Sequence, residues 1–106
     1  MNKLSHTEIA HTFAALGHPK RMKILELLLA TLPNHTTFGE VQKHTEIPAS
    51  TLTHHLREME NGNIVIRKPD GASTRLTLNL NYLQSILAEL MSKCCKNTIG
   101  NSIDQS

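Results

Sequence analysis

Apolar residues recur along this chain first with a helical period and later with a period of two. Ser5 with Glu8 makes the S-x-x-E signature of a helix start, and Ile9, Phe13 and Leu16 follow at helical spacing before Gly17. Pro19 suits the first turn of a second helix, where Met22, Leu25, Leu29 and Leu32 share a face that Ile24, Leu27 and Leu28 widen. A helix apolar over so much of its circumference belongs in the middle of a core. Pro33-Asn34-His35 ends it, and Thr37 with Glu40 opens a short helix to about His44, with Phe38 and Val41 facing inward. After the turn Thr45-Glu46-Ile47, Pro48 begins a fourth helix whose stripe is Leu52, Leu56 and Met59. Asn61-Gly62-Asn63 closes it, with Gly62 placed for a left-handed residue beyond the helix end.

Past Asn63 the helical period is lost. Ile64–Lys68 reads as a strand, Pro69–Ala72 as a turn and Ser73–Leu80 as a second strand, with Leu76, Leu78 and Leu80 alternating with Arg75, Thr77 and Asn79. Tyr82–Lys96 is helical again, on a stripe of Leu83, Ile86, Leu87, Leu90 and Met91. The order α-α-α-α-β-β-α predicts a mainly α fold with a β-hairpin wing, a winged helix-turn-helix with extra terminal helices. Residues 1–96 are expected to form one domain, followed by a polar tail over 97–106 that frays.

Composition sharpens this picture in two places. The chain has 106 residues and only three aromatic ones, so Leu, Ile and Val must fill a small core that a dimer interface would help complete. Its net charge of +2 permits a polyanionic partner without requiring one. No apolar run is long enough to cross a bilayer, the first residues lack the order of a secretory signal, and two adjacent cysteines make no disulfide framework. A cytoplasmic protein with reduced thiols is the expectation.

The fourth helix carries the candidate chemistry. Opposite its apolar stripe lie Ser50, Thr51, Thr53, His54 and Arg57, short or basic side chains that would let a helix sit deep in the major groove and bond base edges. On this stretch alone, a solvated surface helix accounts for the pattern equally well. Lys20, Arg21, Arg57, Arg67, Lys68 and Arg75 are candidates for phosphate contact, with Arg67, Lys68 and Arg75 near the hairpin tip. The seven histidines do not converge as ligands: His6 and His11 are off one helix face, and His54 and His55 point different ways. His55, beside Leu52 and Leu56, is expected to pack in the core. No nucleophile–base constellation is visible, so no enzyme activity and no required cofactor are expected.

The segments LGHPKRMKILELL and IPASTLTHHLREMENGNIV, followed by the hairpin, resemble the ArsR/SmtB family of small dimeric transcriptional repressors. The resemblance runs from about Leu4 to Met91 and is densest in the S-T-x-x-H-H-L run at Ser50–Leu56. It implies a homodimer built on the first and last helices, operator DNA bound by the helix at 49–60 with wing support, and release when an effector binds. It also tips the fourth helix from solvated face to DNA-reading face. Two features common among relatives are missing. The helix before the recognition helix, TTFGEVQ, holds no sulfur, and residues 82–96 hold no His or Asp and one carboxylate, Glu89.

Cys94 and Cys95 are the remaining group of soft ligands. Cys94 continues the stripe of Leu83, Leu87 and Leu90, so one reading is a half-buried, inert thiol in an effector-independent regulator or a protein-docking module. The other is a sensing site for a soft metal or metalloid inducer, such as a trivalent arsenical, or for an oxidant. Some arsenic-responsive relatives carry a comparable pair, usually with a third cysteine, which this chain lacks. Adjacent cysteines at a helix end, against the negative end of the dipole, are poorly placed for a thiol oxidoreductase.

Overall fold

The computed structural model describes residues 4–98, and their side chains as far as residue 93. Five helices and a small sheet follow one another as α1 (His6–Leu16), α2 (Pro19–Thr31), β1 (Thr36–Thr37), α3 (Phe38–Thr45), α4 (Ala49–Asn61), β2 (Val65–Asp70), β3 (Ser73–Leu78) and α5 (Leu80–Thr98). This is a winged helix-turn-helix. Both expected capping boxes form: Ser5 Oγ accepts from the Glu8 amide at 3.1 Å and Thr37 Oγ1 from that of Glu40 at 3.2 Å, with each glutamate reaching back to the cap.

The sheet is antiparallel in the order β1-β3-β2, with Thr36 opposite Leu76 and Val65 opposite Leu78. β1 was not expected, because two residues are too few to show alternation. The hairpin is also tighter than the spacing predicts. Pro69 lies within β2 opposite Thr74, where an edge strand tolerates its missing N–H, and the turn is Gly71-Ala72 with Gly71 at φ 64°. Leu80, expected to end the second strand, starts α5 instead, and that helix continues to Thr98. The rest of the expected tail, 99–106, lies outside the described residues.

Ile24, Leu28, Val41, Leu52, Leu56, Met59, Ile64, Leu76 and Ile86 are fully buried; α2 through β3 enclose one core, and α5 packs against it with Leu80 and Leu83. On α2 the buried face is Ile24, Leu25 and Leu28, whereas Met22 and Leu29 are 42% and 41% exposed. The expected face was turned too far, because a helix apolar almost all round leaves its inward direction to its neighbours. Phe13 of α1, at helical spacing from Ile9 and Leu16, is 47% exposed, and the small residues Thr12 and Ala15 are buried.

Their smallness has a partner. Gly62 caps α4 at φ −86°, not in the left-handed region, which Asn63 occupies at φ 63°. Gly62 is needed for close approach instead: a Cβ there would collide with the Ala15 Cβ and stand 3.2 Å from the His11 carbonyl oxygen.

Candidate nucleic-acid interface

The turn between α3 and α4 is short because Glu46 ends α3 in the left-handed conformation, at φ 59°, and Ile47 plugs into the core immediately afterwards. Pro48 then redirects the chain at the N-cap of α4. With Leu52, Leu56 and Met59 fully buried, the rotation of α4 about its axis is set. Ser50, His54 and Arg57 consequently face outward, and Thr51 and Thr53 sit half-buried at the edges of that face. Thr53 Oγ1 donates to the Ala49 carbonyl at 2.9 Å, so its hydroxyl offers lone pairs outward. The expected readout residues thus share one helix and one side of it.

The expected phosphate contacts divide into three kinds. Lys20, Arg57 and Lys68 are exposed and have no ion pair among the described residues. Arg67 and Arg75 are held within the wing region: Arg67 Nε donates to Glu60 Oε1 at 2.8 Å, and Arg75 Nη2 to Asp70 Oδ2 at 3.0 Å. The first of these ties the wing to the last turn of α4. Arg21 departs from the expectation. Its Nε donates to His55 Nδ1 at 3.0 Å and its Nη1 reaches the carbonyl oxygens of Ala14 and Ala15 at 3.2 and 3.4 Å, so it is turned into the protein.

His55 is buried, as its place beside Leu52 and Leu56 predicts. Its ring lies 4.5 Å from that of His18 and 5.7 Å from that of His54. Burial holds its pKa below the usual imidazole value, and the nearby His18, Arg21, His54 and Lys20 push the same way. A second polar node was not foreseen. The Thr12 hydroxyl lies 2.9 Å from the Gly62 carbonyl oxygen and 3.2 Å from the Tyr82 hydroxyl, joining α1, the end of α4 and the start of α5. Sequence spacing carries no trace of contacts between residues this far apart. A small hydroxyl residue on the inner face of α1 was the one available signal.

Cys94 and Cys95 fall on the last turns of α5, and their side chains lie outside the described residues. Among the described residues no three His, Cys, Asp or Glu side chains gather as a metal site. No helix there is long and apolar enough to cross a membrane.

Residues 18–67 match the model of the arsR family of bacterial regulatory proteins. Among solved structures, NolR from Sinorhizobium fredii is 26% identical, with a TM-score of 0.61 over 87% of this chain and 95% of its own. A homodimeric winged helix-turn-helix DNA-binding domain from Mycobacterium bovis, a possible ArsR-family regulator, is 17% identical, with a TM-score of 0.66 over 88% of this chain and 91% of its own. A further ArsR family transcriptional regulator, 16% identical, reaches a TM-score of 0.73 over 87% of this chain and 92% of its own. At such identities the last two speak for the fold. No curated protein matches the sequence.

Proposed function

We propose that this chain, whose residues 18–67 match the arsR family of bacterial regulatory proteins, is a cytoplasmic, dimeric transcriptional repressor of that family. Ser50, Thr51, Thr53 and His54 of α4 read base edges in the major groove. Arg57, Lys20 and Lys68, with Arg67 and Arg75 of the wing, position the protein on phosphates. The chain needs no cofactor for this. Two copies meet through α1 and α5, whose Phe13, Leu87 and Met91 are exposed in the single chain. The division of α4 into a fully buried stripe and an outward polar face is the observation that carries the reading.

Cys94 and Cys95 are the proposed sensor. As thiolates they suit a thiophilic effector that accepts two sulfurs, a trivalent organoarsenical ahead of zinc, or they respond to oxidation. Their position near the end of α5 would let an adduct alter how two last helices pack. That alters the spacing of two recognition helices, which must enter major grooves about 34 Å apart or a multiple of it.

The test is a mobility-shift titration on selected and random duplex at several salt concentrations. We expect a dimer on a pseudo-palindromic site, with affinity falling steeply as salt rises. Adding a methylarsenical or an oxidant should weaken binding roughly 10- to 100-fold, and a Cys94→Ser/Cys95→Ser variant should keep binding but lose that response. Binding with no salt dependence would overturn the DNA reading, and an undiminished response in the double variant would overturn the sensor.

A further inference from the structure

A guanidinium is always protonated, so in the 3.0 Å contact from Arg21 Nε to His55 Nδ1 the imidazole nitrogen must be the acceptor. His55 is therefore neutral there, with its proton on Nε2. Through Nη1 the same guanidinium donates to the carbonyl oxygens of Ala14 and Ala15, at the end of α1 where intrahelical donors run out. One side chain of α2 thus ties the C-terminus of α1 to the middle of α4. At that point α4 carries His54 and Arg57 on its outer face, one and two residues from His55.

We infer that Arg21 is a positioning residue for α4, and that it holds the recognition helix against α1 only while His55 is neutral. The inference rests on the proposed reading of α4 as the DNA-contacting helix. Protonation of His55 puts a hydrogen on Nδ1, where it meets the Nε–H of Arg21. Two donors and two positive charges then oppose one another, and the link opens. The charges facing His55 are His18 at the N-cap of α2, Lys20 and Arg21 from α2, and His54 from α4 itself, while α1 contributes carbonyl oxygens. No carboxylate is among them to compensate. Burial works in the same direction, so the proton is taken up below the ordinary imidazole value of about 6.5.

The consequence has a definite sign. Above that value the link is intact, and as pH falls through the lowered pKa of His55 the hold on α4 is lost. Any positive charge gained on the DNA-facing side as pH falls acts oppositely, because it strengthens attraction to phosphate. The wild-type pH curve alone therefore mixes two effects, and His55→Asn separates them. The Asn Oδ1 stands near the place of Nδ1 and accepts from Arg21 at every pH.

Imidazole and amide nitrogen spectra of the free full-length chain from about pH 8 to pH 5 test the link directly. They should show His55 with Nε2 protonated at the alkaline end, and the amides of residues 49–61 should move with the midpoint of its ring. The ratio of dissociation constants for one duplex, wild type over His55→Asn, should rise between pH 7.5 and pH 5.5, by less than the roughly tenfold that one proton taken up at about pH 6.5 would give. A ring protonated on Nδ1 at the alkaline end, α4 amides that ignore the His55 titration, or a flat ratio would each overturn the inference. A chain that binds no duplex at any salt concentration fails the proposed function instead, and the spectra still decide the link. They likewise decide it should His55→Asn not fold.

Discussion

Val41, Ile47, Leu52, Leu56 and Met59, on α3, α4 and the turn between them, are all buried by this chain alone. Phe13 on α1 and Leu87 and Met91 on α5 are 47%, 49% and 59% exposed, although they recur at the same helical spacing. The helix-turn-helix is thus complete within one copy, while the α1–α5 flank carries more apolar surface than its own neighbours cover. A small core explains the difference. The chain has enough apolar residues for two faces but only one interior, and α2 takes the centre of it. The flank is the part that a second copy would complete, and the part that bears the proposed sensor.

The largest effect expected from breaking this comparison comes from truncating matched leucines. Leu56→Ala removes a fully buried side chain at the centre of α4 and should cost about 2–5 kcal/mol, read as a lower denaturant midpoint. Leu87→Ala, measured on dilute monomer, should cost roughly 0.5 kcal/mol or less. Equal losses would mean that the flank is as self-sufficient as the helix-turn-helix.

Next in size is the seam between the two regions. Gly62→Ala sets a methyl group against the Ala15 Cβ and the His11 carbonyl, so α1 must withdraw from the end of α4. Relieving that overlap should cost about 1–3 kcal/mol. Withdrawal also lengthens the Thr12 contacts to Gly62 and Tyr82, so operator affinity should fall beyond what lost stability explains. Gly62→Ala paired with Ala15→Gly removes the Cβ–Cβ collision, and recovery of the denaturant midpoint in that pair would assign the cost to this contact.

The sequence was most legible where a pattern had one solution. Leu52, Leu56 and Met59 leave α4 a single way to face, and two capping boxes set the starts of α1 and α3. Legibility failed where patterns were degenerate or contacts long-range. α2 is apolar on too many sides for periodicity to choose among Met22, Ile24, Leu25 and Leu29. β1 exists only because β3 passes beside Thr36 and Thr37. Arg21 looked like another phosphate-binding cation, since its meeting with His55 is made by the tertiary fold and not by anything adjacent in the chain. Gly62 was identified as special for backbone freedom, when its role is to leave room for α1. Asn63 supplies the positive φ instead.

The smallest expected change in monomer stability is the sharpest test of what the flank is for. In Leu87→Ser/Met91→Ser both side chains lose apolar area that the single chain leaves largely exposed, so unfolding of dilute monomer should shift by about 0.5 kcal/mol or less. The same two changes should weaken self-association strongly, because apolar area buried between copies contributes roughly 25 cal/mol per Å². Sedimentation at micromolar concentration should therefore show the wild type as a dimer and the variant shifted toward monomer. DNA binding follows with its own signature. A single recognition helix makes half the phosphate contacts of a dimer, so the salt slope of the variant should be about half as steep. A variant that stays dimeric, with an unchanged slope, would put the dimer contact elsewhere on the molecule, and the exposed Met22 and Leu29 of α2 would be the next residues to change.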